Sequence, residues 1–351
     1  MHFPNNTFSE FNHTTGRIES NQGYAAEFFG TVCTKYVAPS ICVFGIIGNS
    51  FSLVVLMRKS LKQSPYINLK ALTIVNLLAL LVSFPYMIRG ENSTEYAWLW
   101  YNIYIFIPLV SLLTATSIWI VVLLTVERFL YVKYPLRTRG QCGPKGTVIR
   151  ILSILFVALL MSLHKFFQYE LDPIKNKYIE TAFKQSIMSF IIEIALMVII
   201  HFIPLIVLAI INIVLVRTVR QARNRRLMLN LRNNQEGGWQ KDERRFTVTL
   251  ASIVILNICF IGPTTITDIL YLSKLGGQSD NLITTIVFMR HISNVLLWFC
   301  LSFNFVLYCT FNKRFFQAMK EILQFHRFRR NRFHSVKSSE MTFLRSTNFD
   351  S

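Results

Sequence analysis

Two adjacent ionisable residues, Glu127 and Arg128, stand at the end of an apolar run that begins near Thr116. Charged side chains inside a membrane-spanning run are costly unless they reach the interface or find partners. The arginine guanidinium keeps its charge and presents five donors in a planar fork, so it suits carboxylates such as Glu127 and the distant Glu243. An Arg128 that exchanges such partners, with Tyr308 swinging toward it, would form a two-state switch. In the alternative, Arg128 only reaches to the interface and Tyr308 only packs.

A second group of charged and aromatic residues lies toward the opposite ends of the apolar runs. Charged groups this far inside such runs are expected to face a water-filled cavity. Glu193 or Asp268 would then offer an acid to a basic ligand group, and the tyrosines an aromatic lining. Alternatively, Asp268 and Arg290 pair with each other and contact no ligand. The predicted binding residues are Tyr86, Tyr104, Glu193, Asp268, Arg290 and His291.

Four polar residues, Asn49, Asn76, Ser117 and Asn304, fall inside four different apolar runs. They predict either one hydrated network that connects the two ends of the molecule or separate hydrogen bonds between helices. No catalytic triad, phosphate-binding loop or metal-ligand cluster is apparent, and the six cysteines have no metal-site or disulfide-framework spacing. We therefore predict neither an enzyme nor a cofactor.

The elements that must position these residues are apolar helices. Of the 351 residues, 52% are hydrophobic and 16% charged, and the mean hydropathy of +0.40 is typical of membrane proteins. We predict an all-α membrane protein, a seven-transmembrane helix bundle over residues 36–311, because seven apolar runs approach the roughly 20 residues that cross a bilayer. The runs are 37–57, 67–88, 102–127, 148–164, 187–216, 246–272 and 283–309.

The formal net charge of +19 agrees with this topology. With the amino terminus outside, 28 of the 37 Lys and Arg residues fall on the inner side. Basic inner loops are the usual bias of membrane proteins. The charge therefore indicates contact with the lipid bilayer and not with nucleic acid.

Three segments outside the bundle complete the predicted organisation. Residues 1–35 are polar and predicted to be extracellular and disordered, with N-glycosylation acceptors at Asn5 and Asn12 and a third at Asn92 in a later loop. Residues 312–325 predict a short amphipathic helix at the inner membrane surface. Residues 326–351 predict a disordered cytoplasmic tail whose hydroxyl residues are either plain disorder or a phosphorylation region.

Short motifs, taken in order over residues 36–325, resemble those of the rhodopsin-like (class A) G-protein-coupled receptors. Within that family, residues 116–119, 165–169 and 304–309 are similar to the FMRFamide-receptor-like peptide receptors. The motifs are Gly48-Asn49, Asn68-Leu69 with Leu72, Glu127-Arg128-Phe129, Pro135-Leu136, Pro204, Pro263, Asn304-Phe305-Val306-Leu307-Tyr308 and Phe315.

This resemblance implies a plasma-membrane receptor with an extracellular amino terminus. Its implied ligand is an extracellular neuropeptide, for example an amidated Arg-Phe peptide. Its implied partner is a heterotrimeric G protein, admitted when the sixth helix swings away from Arg128. Arrestin and a receptor kinase are the implied partners of the tail.

Four positions depart from the family pattern. Asn76 replaces the aspartate that binds sodium, Ile103 occupies the place of the outer disulfide cysteine, Ile261 replaces a tryptophan and Phe305 replaces a proline. Two alternatives therefore stay open. One is a heptahelical protein that binds partners without G-protein coupling, and the other is a channel or transporter, although repeated halves are not apparent.

Overall fold

Helices make up most of the structure, because backbone polar groups within a bilayer must be satisfied inside each segment. The computed structural model describes residues 28–61, 64–89, 95–134, 143–172, 177–228, 251–267, 280–312, 314–322 and 324. The helices are α1 (Phe28–Leu56), α2 (Ser64–Arg89), α3 (Tyr96–Tyr101, Asn102–Phe106 and Ile107–Lys133 in succession), α4 (Pro144–Phe167), α5 (Ile187–Met197, Val198–Phe202 and Ile203–Met228 in succession), α6 (Ala251–Thr267), α7 (Asp280–Ser302), α8 (Asn304–Phe311) and α9 (residues 314–322).

Among the described residues, five helices, α1 to α5, are long and apolar enough to cross a membrane. The α7 and α8 pair, bent by 44° near Phe303, gives a sixth such span, and α6 is apolar over its 17 described residues. The predicted seven-helix membrane bundle is therefore confirmed. The fourth span is longer than predicted, since Pro144 occupies the first turn of α4 and a 3₁₀ segment, Leu163–Phe167, extends its other end.

In the part of the chain that the structure describes, three helices contain a wide π turn, and each turn ends two residues before a proline. The turns are Cys33–Val37 before Pro39, Asn102–Phe106 before Pro108 and Val198–Phe202 before Pro204. Proline has no N–H, and its ring crowds the carbonyl one turn earlier. The backbone widens to accommodate this, so that Ile203 N bonds to Val198 O.

The centre of the bundle is α3. Of the residues in its most apolar stretch, 61% are buried, against 17% in α4 and 11% in α5, whose outer sides carry exposed leucine, isoleucine and phenylalanine. Close contact between α1 and α7 depends on Gly45, because a Cβ there would overlap the Ser302 hydroxyl oxygen. Ser302 uses that hydroxyl to bond Ile41 O at 3.1 Å.

The two ends of the bundle differ in what joins the helices. At one end, called the hairpin end, strands β1 (Tyr169–Asp172) and β2 (Lys177–Glu180) form an antiparallel hairpin between α4 and α5. This hairpin is an addition to the predicted all-α fold. The other end, called the Arg128 end, carries the end of α3, the start of α4 and α9.

The amphipathic helix predicted after the last span is present as α9. Its start is fixed by Asn312, whose Oδ1 accepts a hydrogen bond from Phe315 N at 3.0 Å. Phe315 and Ile322 are buried, as the predicted apolar face requires, whereas Phe316 is exposed.

Candidate functional site

At the Arg128 end, the Glu127 carboxylate ties three helices together. Its Oε1 accepts from Arg150 Nη2 at 2.7 Å and Nε at 3.0 Å, both on α4. Thr147, also on α4, donates its hydroxyl to the same oxygen at 3.3 Å. From α2, Asn68 Nδ2 donates to Oε2 at 2.8 Å. We call these four residues the Glu127 cluster.

The Glu127 cluster is sheltered from solvent except at Arg150, whose side chain is 36% exposed. The Glu127 side chain is 11% exposed, and Asn68 and Thr147 are fully buried. A carboxylate in such surroundings is stabilised by charge-assisted bonds, which are stronger than neutral ones. Arg150 was not predicted, although it is the one charged residue in the predicted fourth run, 148–164, and so was a usable signal.

Arg128 lies next to this cluster and is itself buried, with 6% of its surface exposed. Its guanidinium carbon lies 5.7 Å from the centre of the Tyr131 ring. The predicted partner Glu243 lies outside the described residues. Arg128 is thus a buried cation on the central helix, close to the mouth of the bundle.

Tyr308, the other predicted switch residue, is fully buried on α8. Its ring packs at a tilt against Phe315 of α9, with 5.5 Å between the centroids. Its hydroxyl lies beside Thr73 of α2. In this structure Tyr308 therefore packs against α2 and α9.

Three of the four predicted polar residues lie together, and the fourth, Asn49, bonds elsewhere. Ser117 donates its hydroxyl to Asn76 Oδ1 at 2.7 Å, and both line a small cavity together with Asn304. The cavity has room for about one water molecule. Asn49 instead fastens α1 to α7, since its Nδ2 donates to Leu301 O at 3.1 Å.

The cavity also has polar groups that the sequence analysis did not select, on Thr114 and Asn257. Asn76 Nδ2, Asn304 Oδ1 and Thr114 Oγ1 are buried and have no hydrogen-bond partner among the described residues. Internal water usually satisfies such atoms. These residues thus form one small polar chamber beside α3, and a hydrated network between the two ends stays a prediction.

At the hairpin end, Glu193 of α5 is the centre of a second charged cluster. Its Oε1 accepts from Gln168 Nε2 at 2.7 Å, Lys184 Nζ at 2.8 Å and Lys165 Nζ at 3.3 Å. We call these four residues the Glu193 cluster. The sequence analysis selected Glu193 but not its three partners, so the acid that was predicted to meet a ligand already bonds to two cations of the same chain.

The other predicted binding residues contact different neighbours. Tyr86 stacks on Phe106 with 4.1 Å between the centroids, and Tyr104 lies 5.7 Å from Trp100. His291 lies against Gly30 of α1, where a Cβ would come within 2.7 Å of its Nε2. Arg290, its neighbour on α7, is exposed.

The cysteines and the remaining predicted residues are the last part of the site description. The described cysteines, Cys33, Cys42, Cys259, Cys300 and Cys309, are all free. Asp268 and the glycosylation acceptors Asn5, Asn12 and Asn92 lie outside the described residues, as do residues 325–351 of the tail.

Residues 48–312, which are more than half of the chain, match the family described as "7 transmembrane receptor (rhodopsin family)". The chain belongs to that family. Glu127-Arg128-Phe129 and Asn304-Phe305-Val306-Leu307-Tyr308 both lie within the matched region of this receptor.

Individual relatives of the receptor are receptors too. It is 25% identical over 300 residues to a probable G-protein coupled receptor of Caenorhabditis elegans, covering 80% of this chain and 66% of that one. It is 25% identical over 346 residues to the sex peptide receptor of Drosophila melanogaster, covering 90% and 76%. It is also 27% identical over 136 residues to an FMRFamide peptide receptor of C. elegans, covering 37% and 32%. The chain thus spans just under two thirds of the first of these relatives.

The sodium ion that the family resemblance implies does not fit the polar chamber of this receptor. The described polar residues that line the chamber are amides and hydroxyls, namely Asn76, Thr114, Ser117, Asn257 and Asn304. A buried cation without a carboxylate in its donor set carries an uncompensated desolvation cost. The chamber therefore suits neutral water.

Proposed function

We propose that this receptor stands in the plasma membrane with its amino terminus outside, binds an extracellular peptide at the hairpin end and activates a heterotrimeric G protein at the Arg128 end. The sex peptide and FMRFamide receptors among its relatives support a peptide ligand. The concentration of basic residues on the Arg128 side supports that side as cytoplasmic.

The single observation that carries this proposal is the burial of Arg128 beside a separately anchored Glu127. The Glu127 cluster fastens α3 to α2 and α4. In our proposal those three helices keep their positions relative to one another, and Arg128 lies on the same turn of α3 as Glu127. In our proposal Glu243, which precedes α6, is the carboxylate that restrains Arg128 in the resting receptor. When the ligand favours the other state, α6 moves outward and Arg128 contacts the G protein.

For the ligand, we propose that the tyrosines at positions 86 and 104 and the basic residues Arg290 and His291 line the peptide site. Glu193 already bonds to Lys165 and Lys184. Asp268 is therefore the acid we propose for the arginine of an amidated Arg-Phe peptide. The chamber that contains Asn76, Ser117 and Asn304 would relay the change toward Tyr308 and Arg128.

The proposal is tested with a library of amidated and free peptides on cells that report calcium and cyclic AMP. The cells express the parent receptor, Arg128→Ala or the control Arg58→Ala, which removes an exposed arginine at the same end. We expect at least one peptide to activate the parent and the control, and Arg128→Ala to lose most of that response at equal surface level. Activation that survives in Arg128→Ala, or no response from the parent to any peptide, would refute the proposal.

For the tail, we propose phosphorylation by a receptor kinase followed by arrestin binding. Ser335, Ser338, Ser339 and Thr342 provide a cluster of hydroxyl groups beyond the basic segment. Mass spectrometry of tail peptides before and after agonist should detect new phosphate there, and its absence would remove both partners from the proposal.

A further inference from the structure

At the hairpin end, the Glu193 carboxylate connects several segments of the chain. Three donors converge on one oxygen of Glu193, and they come from three places in the chain. Lys165 belongs to the last turn of α4, Gln168 directly precedes β1, and Lys184 follows β2. One carboxylate on α5 thus holds both stems of the hairpin and the end of α4.

The Glu193 cluster is largely shielded from water. The side chains of Glu193, Lys184 and Lys165 are 13%, 19% and 25% exposed, and Gln168 is 1% exposed. Salt screens charge pairs weakly when they are partly buried, and their hydrogen bonds are stronger than neutral ones. The hydrogen bonds of the cluster are therefore strong enough to hold the hairpin against the helices.

Backbone bonds close the base of the hairpin beside this anchor. Thr181 N donates to Gln168 O at 3.1 Å, and the Thr181 hydroxyl donates to Phe167 O. Lys184 N in turn donates to the Thr181 hydroxyl oxygen at 3.2 Å. These bonds place Gln168 and Lys184 next to each other, so both reach the same carboxylate.

The hairpin needs such support. It pairs only four residues on each strand, with Tyr169 opposite Glu180 and Asp172 opposite Lys177. An isolated two-stranded hairpin is marginally stable in water. The sequence has no cysteine between Tyr169 and Ser186, so a disulfide cannot hold this segment.

We propose that Glu193 is a positioning residue whose contacts with Lys165, Gln168 and Lys184 clasp the hairpin to α4 and α5 and take the place of a covalent cross-link. The hairpin stands over the helix ends because of this clasp. This assignment does not depend on the ligand or on G-protein coupling. It also separates Glu193 from the residues proposed to touch the peptide.

The test is hydrogen–deuterium exchange of the full chain, purified in lipid nanodiscs and followed by mass spectrometry of peptides from residues 168–186. In Glu193→Gln we expect hairpin amides to exchange about tenfold faster or more, because charge-assisted bonds are lost. Peptides from α1 and α2 should keep their exchange rates. Lys184→Gln, which leaves Lys165 on the carboxylate, should give a smaller increase in the same peptides.

The matched control is Glu95→Gln at the same end. Glu95 pairs with Arg89, but both side chains are exposed, at 65% and 45%. We expect the control, and the parent treated with a reducing agent, to keep the parent's hairpin exchange. Unchanged hairpin exchange in Glu193→Gln would overturn the proposal, as would faster exchange of the reduced parent. If Glu193→Gln fails to fold, Lys184→Gln decides alone, and unchanged hairpin exchange in that variant would overturn the clasp.

Discussion

Glu127 and Glu193 lie at opposite ends of the bundle, and α4 supplies a cation to each. Arg150 near the start of α4 bonds to Glu127, and Lys165 in its last turn bonds to Glu193. The two carboxylates are about equally sheltered, with 11% and 13% of their side chains exposed. Their partners, however, are arranged differently.

At the Arg128 end, both oxygens of Glu127 are used, and the donors found among the described residues all come from helices. The fixed fork of Arg150 gives that contact a defined geometry. At the hairpin end, two ammonium groups and an amide share one oxygen, and two of these donors lie outside the helices. The comparison indicates that Glu127 fixes the relative positions of helices, whereas Glu193 holds a connecting segment.

The largest effect is expected where a carboxylate is added without any cation. Asn76→Asp places one in the polar chamber, which has room for about one water molecule. In choline chloride we expect a lower thermal unfolding midpoint, because a buried unpaired charge costs several kcal/mol. Sodium chloride should restore part of the loss in the variant and leave the parent unchanged. Stabilisation of the parent by sodium would show that its neutral chamber binds the ion after all.

A smaller but clear effect is expected when the Glu127 carboxylate is removed. Glu127→Ala leaves Arg150, Asn68 and Thr147 without their shared acceptor, which should cost about 2 kcal/mol of unfolding free energy. Thermal unfolding of purified receptor would measure this as a midpoint several degrees lower. Glu95→Ala is the control and should change the midpoint little, because exposed pairs contribute about 0–1 kcal/mol. Equal shifts in the two variants would contradict the structural role of Glu127.

The smallest effects come from exchanging the two kinds of cation. Arg150→Lys loses one of two N–H donors to Glu127 and should cost about 1 kcal/mol. Lys184→Arg keeps a positive donor near Glu193, whose site imposes no fork geometry, and should cost less than about 0.5 kcal/mol. Thermal unfolding of both variants tests this order. A larger loss of stability in Lys184→Arg than in Arg150→Lys would contradict the proposed difference between the two clusters.

Much of the architecture could be predicted because bilayer length and hydropathy constrain each span separately. Asn76 and Ser117 were expected to take part either in one hydrated network or in separate hydrogen bonds between helices, and the structure joins them by a direct hydrogen bond. Arg150, Lys165 and Lys184 were missed for a different reason. Their pairing depends on which helices are adjacent and how each is rotated, and a single sequence fixes neither.

The hairpin was missed because its two short strands are rich in charge. Tyr169–Asp172 and Lys177–Glu180 carry four charged residues among eight and lack a strong apolar alternation. Their pairing is supported by the hydrogen bond from Thr181 N to Gln168 O and by the contact of Gln168 with Glu193 on α5. Such support is tertiary and leaves little trace in local sequence.

The most direct test of the account is receptor-stimulated nucleotide exchange on purified G proteins, with the receptor in nanodiscs at matched folded concentration. Glu127→Gln, which loses the charge that binds Arg150, should unfold at a lower temperature than the parent but still stimulate exchange below that temperature. Arg128→Ala, measured below its own unfolding temperature, should lose nearly all stimulated exchange. Full stimulation by Arg128→Ala, or its loss in Glu127→Gln alone, would contradict the claim that Glu127 holds the helices while Arg128 couples to the G protein.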